Sequence, residues 1–182
     1  VISSDEALFR EQAPKTLAVI GAGAVGCEFA DIFSAFGTRV TLIEALPRIL
    51  PIEDAESSDA LTKSFKKRGI TVIVGAKVIK AVVALDKVAL TVEAGGKSEI
   101  IEVEKVLMAA GRAVNTEGMG FQEAGVKLTD RGFVQVDPVT LQTTAPGVYC
   151  IGDVAGPPML AHKGSREGVH VAELVAGRHP HP

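Results

Sequence analysis

The chain has 182 residues, 47% of them hydrophobic and only 4% aromatic, and it carries a net charge of −3. That length fits one large domain or one domain with part of another, and the charge argues against an electrostatic surface for nucleic acid. No run reaches the roughly 18 apolar residues of a membrane span and no charged-then-apolar leader opens the chain, so a soluble, cytoplasmic protein without nucleic-acid or membrane partners is expected.

The abundance of Ala, Val and Gly points to an α/β protein with helices lying close on a sheet. Ser3-Ser4-Asp5-Glu6 ahead of Ala7-Leu8-Phe9 reads as a short capped helix, broken from the next segment by Pro14. Leu17–Ile20 is a continuous apolar run, the pattern of a strand buried on both faces. It enters GAGAVG, and a helical pattern follows over Ala24–Phe36, ended by Gly37. Arg39–Ile43 is a second strand, Asp54–Arg68 a second helix closed by Gly69, and Ile70–Val74 a third strand. This β-α-β-α-β order predicts a parallel sheet with crossover helices. The basic cluster Lys63–Arg68 reads as a solvated helix face.

Residues 76–103 change character. Val78–Leu85, Val88–Glu93 and Glu99–Val103 are short β-branched segments separated by turn residues, which predicts a three-stranded antiparallel meander. Val106–Ala109 returns to the buried-strand type and stops at Ala110-Gly111-Arg112. Beyond Asn115 the pattern gives a short helical piece around Gly120–Ala124, an edge-like Phe133–Val136, a strand Val148–Ile151 and an amphipathic helix over roughly Ala161–Val175.

GAGAVG is a GxGxxG pattern in its proper setting: a strand before it, a helix opening at it and an acidic residue about 20 positions on. Gly21 permits the tight turn, Gly23 lets the backbone approach a pyrophosphate, and Gly26 lets helix and strand pack closely. The helix start adds free N–H donors and partial positive charge. Glu44, ending the second strand, is suited to accept hydrogen bonds from the adenosine ribose and to repel a 2′-phosphate, which favours NAD over NADP. Arg48 nearby could soften that preference. Glu28, read as a first-turn carboxylate, faces either solvent, favoured there by the helix dipole, or the nicotinamide end of the cofactor. A plain glycine turn and a solvated strand-end carboxylate are the competing structural readings. Cys27 and Cys150 form no CxxC or CxxxxC pair and read as small buried hydrophobes. His162, His170, His179 and His181 lack a ligand spacing, so no metal site is expected.

Four stretches, GAGAVGCE, the Glu44 strand end, AAGRAVNTEGMG and IGDVAGPPMLAHKGSREG, follow the order found in the pyridine nucleotide–disulfide oxidoreductases, which the chain resembles over essentially its whole length. The MLAHK run is most similar to that of the dihydrolipoamide dehydrogenase branch. The resemblance implies a Rossmann-like FAD/NAD(P)-binding fold carrying the meander. It implies hydride transfer between NAD(H) and flavin, coupled to dithiol–disulfide exchange. It puts Gly21, Ala22, Gly23, Ala24, Val25, Gly26, Cys27, Glu28 and Glu44 around NAD, Val78 near the adenine and Gly111 beneath the nicotinamide. It also puts Asp153 on the ribityl chain of FAD, with Met159, Leu160, Ala161 and His162 along the flavin edge. An acidic residue at the carboxyl end of a parallel strand is independently a ligand position.

The resemblance further implies a homodimeric parent, a component of a 2-oxoacid dehydrogenase complex. The departures are as informative. Family members carry a second GxGxxG in an FAD domain, a redox CxxxxC and a His-Glu pair in an interface domain. This sequence has one GxGxxG and no paired cysteines, Ala110 where Thr or Ile is common, and Ala113-Val114 for the usual Val-Pro. The expected organisation is an entry helix and linker at 1–14, an NAD-binding domain at 15–115, and 116–182 returning to an incomplete FAD-binding domain. NAD should then bind and FAD only in part, with no catalytic residue in the chain. A stand-alone NAD-binding or sensing module and a fragment of a related flavoprotein disulfide reductase are the alternatives.

Overall fold

The computed structural model describes residues 1–178, so His179 and His181 lie outside the described residues. The chain divides into two compact units, Val1–Gly111 and Arg112–Pro182.

In the first unit, α1 (Ser4–Leu8) is capped as its sequence requires: the Ser3 side chain accepts from the Glu6 N–H and Glu6 reaches back to the Ser3 N–H. Strands β1 (Thr16–Ile20), β2 (Arg39–Ile43), β3 (Thr71–Ile73) and β7 (Lys105–Met108) form a parallel sheet in the order β3-β2-β1-β7. Helices α2 (Ala24–Ala35) and α3 (Ala55–Lys67) are its crossovers. Strands β4 (Ala76–Val83), β5 (Val88–Ala94) and β6 (Lys97–Val103) make the antiparallel meander. The β5–β6 turn is Gly95-Gly96, both at positive φ (57° and 76°), the backbone that a two-residue hairpin of right-handed twist needs.

Period 2 splits β1 between two cores. Leu17 and Val19 pack with Phe29, Phe33, Leu42 and Phe65 in one cluster, whereas Ala18 packs with Ile43, Val88, Leu90, Val92 and Val106 in the other. The sheet is therefore covered by helices on one face and by the meander on the other, which explains its unbroken apolar strands.

The second unit departs from expectation. The piece around Gly120–Ala124 is a run of turns, not a helix. Val148–Ile151 is not a parallel strand. It is one arm of a small antiparallel hairpin, with Tyr149 bridged to Gln142, the Thr143 N–H donating to the Val148 carbonyl and the Cys150 N–H to that of Leu141. Beside it lies a small buried cluster of Val126, Val134 and Ala145, with Cys150 and Val154 packed against it. Phe133–Val136 contributes isolated bridges, Val134 to Leu128 and Val136 to Thr143. A 3₁₀ turn, Gly152–Ala155, leads to α4 (Ala161–Val175), none of whose residues is buried. Among the described residues no helix is long and apolar enough to cross a membrane.

Candidate functional site

In the first unit, the carboxyl ends of β1, β2 and β7 surround a cleft of about 570 Å³, lined by Gly21, Gly23, Glu44, Val78 and Gly111 among the expected residues, with Leu46, Pro51, Ala109 and Ala110 beside them. Each glycine of the loop has its own requirement. Gly21 is at φ 97°, and a Cβ there would collide with the backbone of Ala109 and Ala110. A Cβ on Gly26 would overlap the Gly21 carbonyl oxygen, so helix and loop touch through bare backbone. Gly23 is different: its φ of −70° suits any residue, and a Cβ there meets nothing within 4 Å. The space over Gly23 is open cleft.

Ala22 is the point at which the loop is fixed. Its N–H donates to Glu44 Oε2 at 2.7 Å. Its carbonyl accepts from the Leu50 N–H at 2.7 Å and from Cys27 Sγ at 3.4 Å. Leu50 holds a positive φ of 44° to make that contact, a strained backbone of the kind that collects beside ligand sites. Leu50 is invisible to pattern reading, although the flanking Pro47 and Pro51 mark a constrained loop. Glu44 Oε1 also accepts from the Leu46 N–H at 2.9 Å. A carboxylate offers about four acceptor positions, so these two bonds leave capacity on a side chain that is 8% exposed and borders the cleft.

Helix α2 has no side-chain cap, and its first internal bond runs from the Cys27 N–H to the Gly23 carbonyl at 3.0 Å. The N–H groups of Ala24, Val25 and Gly26 therefore have no acceptor within the helix. The cleft thus offers anion-binding donors at one side and a hydroxyl acceptor, Glu44, at another.

Glu28 and Arg48 sit otherwise than read, whereas Cys27 is the small buried residue expected. Glu28 is the fifth residue of α2, beyond the first turn, where the helix dipole no longer accounts for a carboxylate; it is exposed and does not line the cleft. Cys27 is buried beneath the loop, and burial pushes its thiol up to about 11. Arg48 donates from Nη2 to the carbonyls of Pro51 and Glu53, at 3.2 and 2.9 Å, and so fastens its own loop.

In the second unit, Asp153 sits in the 3₁₀ turn, exposed, 3.7 Å from Arg112. The expectation that it ends a parallel strand is not met, because the preceding segment pairs as a hairpin arm. Leu160 is the N-cap of α4 and Ala161 its first residue. The Gly164 N–H donates to the Leu160 carbonyl at 3.2 Å, so the N–H groups of Ala161, His162 and Lys163 lack helical acceptors. Leu160, Ala161 and His162 are exposed and Met159 half-buried. Behind the turn lie Lys163 and Glu167, paired at 2.8 Å. Neither stands out as a ligand residue in the sequence, although i,i+4 spacing puts both on one helix face. No group of three metal-ligating side chains occurs among the described residues.

Residues 1–168 match the family model described as pyridine nucleotide-disulphide oxidoreductase. The chain belongs to that family. It is 48% identical over 170 residues to the dihydrolipoyl dehydrogenase of Thermus scotoductus, a match covering 92% of this chain and 37% of the relative. It is 42% identical over 184 residues to that of Chlorobaculum tepidum, covering 100% of this chain and 39% of the relative. LpdA from Mycobacterium tuberculosis superposes with a TM-score of 0.90 at 27% identity, over 100% of this chain and 39% of that one. The HOCl-induced flavoprotein disulfide reductase RclA of Escherichia coli gives 0.89 at 27%, over 99% of this chain and 40% of that one. The chain thus spans under two-fifths of the length of these curated relatives. The expected family and α/β fold, a parallel sheet with a separate antiparallel meander, both hold for this oxidoreductase family member.

Proposed function

We propose that residues 15–115 of this family member form an NAD-binding domain, with the meander at 76–103, entered through 1–14, and that 116–182 return to an FAD-binding domain. Together they serve a dihydrolipoyl dehydrogenase in which NAD and FAD supply the hydride chemistry. The observation that carries the reading is the open space over Gly23, at an uncapped helix start, in a cleft bordered by the Glu44 carboxylate.

Within this reading the first-turn N–H groups of α2 receive the pyrophosphate, and Gly23 allows the contact because no Cβ intervenes. Glu44 accepts from the ribose hydroxyls with the oxygen positions that Ala22 and Leu46 leave free. A 2′-phosphate would bring negative charge against a buried carboxylate, so NAD is preferred to NADP. Val78 borders the adenine end and Gly111 the nicotinamide end. Cys27 and Glu28 belong to the loop–helix segment rather than to the cleft wall, so their share in binding is through backbone position. In the second unit Asp153 accepts from the ribityl hydroxyls, and the start of α4, with Met159, Leu160, Ala161 and His162, borders the flavin. Cys27 and Cys150 are both free and form no redox pair, so the dithiol–disulfide step belongs to other parts of the parent enzyme, a homodimer and a component of a 2-oxoacid dehydrogenase complex in this reading.

Titration of the 182-residue chain tests this. NAD(H) binds measurably and more tightly than NADP(H), FAD binds only weakly, and lipoamide is not reduced. Tight stoichiometric FAD binding, or lipoamide turnover by the chain alone, contradicts the division of labour.

A further inference from the structure

The turn that carries Asp153 is poorly held by its own backbone. It is a four-residue 3₁₀ segment, Gly152–Ala155, without a side-chain cap, followed by a Gly156 N–H to Asp153 carbonyl bond of 3.2 Å. Its first residue, Gly152, and the Gly156 that follows it sit at φ 76° and 120°. Short 3₁₀ pieces have poor hydrogen-bond geometry, and glycine loses more conformational freedom on folding than any other residue. Yet both ends of this turn are tied to α4 by charged groups. Glu167 Oε2 accepts from the Gly152 N–H at 2.7 Å. Lys163 Nζ donates to the Gly152 carbonyl at 3.3 Å and to the Gly156 carbonyl at 3.0 Å. The two side chains close on each other, Nζ to Oε1, at 2.8 Å, and are only 20% and 16% exposed.

Helix stabilisation does not account for the pair. Lys placed four residues before Glu is the weaker orientation on a helix, worth a few tenths of a kcal/mol at most. Their remaining hydrogen bonds leave the helix and converge on the turn. The approach is made possible by Gly164, whose Cβ would lie 3.1 Å from the Gly152 Cα, and by Gly168, whose Cβ would lie 3.3 Å from Ile151 Cδ1. A glycine face, spaced four residues apart, lets α4 lie against the turn while a lysine and a glutamate on its rim reach around it.

We propose that Lys163 and Glu167 are positioning residues: without touching the cofactor, they fix the Gly152–Gly156 turn so that the Asp153 carboxylate is presented to the hydroxyl groups of a flavin cofactor. This rests on the reading that Asp153 addresses FAD. Charge-assisted bonds to backbone groups are the strong members of their class, and here they act at both ends of one turn.

Residue-resolved NMR of the 182-residue chain tests the pair and the flavin reading separately. In the wild type the Gly152 amide exchanges slowly with solvent, and millimolar FAD shifts the Gly152–Val154 resonances. Glu167→Ala and Lys163→Met each raise Gly152 exchange about tenfold or more, leave the amides of 170–174 protected, and abolish the FAD-induced shifts. Glu167→Gln, which keeps an acceptor, and Lys163→Arg, which keeps donors, restore part of both. Unchanged Gly152 exchange in both disruptive variants overturns the positioning role. FAD-induced shifts that survive while exchange rises overturn the claim that presentation depends on the pair. Wild-type resonances that ignore FAD, with the exchange effects intact, overturn the flavin reading and reduce the pair to a structural tie.

Discussion

Two loop-to-helix junctions in this chain, Gly21–Gly26 into α2 and Gly152–Leu160 into α4, look alike on paper: an apolar run, a glycine, a ligand-like pattern, a helix. They are built differently. Helix α2 buries Gly26, Cys27, Phe29, Ala30 and Phe33, and its loop is locked to β2 through Glu44 and to the following loop through Leu50. Helix α4 has no buried residue, and its turn is held at its two ends by the helix's own Lys163 and Glu167 and in its middle by the Val134 N–H donating to the Val154 carbonyl. The first junction is supported by a sheet whose strands lie in the same unit. The second is supported by one helix and a small hairpin.

The largest effect should come from removing the bare-backbone contact of the first junction. Gly26→Val forces a side chain into the Gly21 carbonyl, and overpacking with no soft neighbour to yield costs roughly 3 kcal/mol or more, about 6–12 °C in melting temperature for a chain of this size. Gly164→Ala, whose Cβ would stand 3.1 Å from the Gly152 Cα, asks only a small shift, which alanine's better helix propensity offsets, so its net effect should stay within about 1 kcal/mol. Thermal melts of the two variants sharpen the contrast, and equal losses would break it.

Next is Glu44→Ala. It strips the Ala22 and Leu46 N–H groups of their acceptors, a loss of about 1–3 kcal/mol by the cost of unpaired buried donors, and it should narrow the NAD/NADP affinity gap. Arg48→Ala should leave that gap alone, because the guanidinium is engaged by Pro51 and Glu53. Calorimetric titration of both variants with both nucleotides checks this, and a gap that moves with Arg48 and not Glu44 refutes the assignment.

The smallest effect is at the cysteines. Burial raises the Cys27 thiol from 9.0 to about 11 and also raises Cys150, which is less buried. Because the folded thiol holds its proton more tightly than the unfolded one, the contribution to stability is complete below pH 9 and is lost as pH climbs towards about 11. Alkylation at pH 8 should therefore find Cys150 before Cys27. Faster labelling of Cys27 would mean that the first junction opens more readily than the second.

The first unit was largely legible because its signals are local. The run Leu17–Ile20 needs burial on both faces, Gly37 and Gly69 stop the helices at positive φ, and Gly95-Gly96 dictates a hairpin. Helix α4 matches its expected span, Ala161–Val175, for the same reason: its periodicity lies within one segment. The misses need information that lies elsewhere in space. Val148–Ile151 has the composition of a buried parallel strand, but strand type is decided by neighbours, and the neighbour here is Gln142 in a hairpin. The loop strain at Leu50 and the side-chain ties from Lys163 and Glu167 depend on tertiary contacts that no spacing announces. The first-turn placement of Glu28 missed by one position, since the helix starts at Ala24 and Glu28 is its fifth residue.

The central claim is that the open space over Gly23 is where the dinucleotide's phosphates lie. Gly23→Ala isolates it, because the backbone there suits alanine and the added methyl touches no protein atom. NAD titrated into wild type and variant, alongside their melting curves, gives the direct test. The account predicts affinity reduced about tenfold or more, a loss of at least 1.4 kcal/mol, with the melting temperature unchanged. Equal NAD affinity in the two proteins would contradict it.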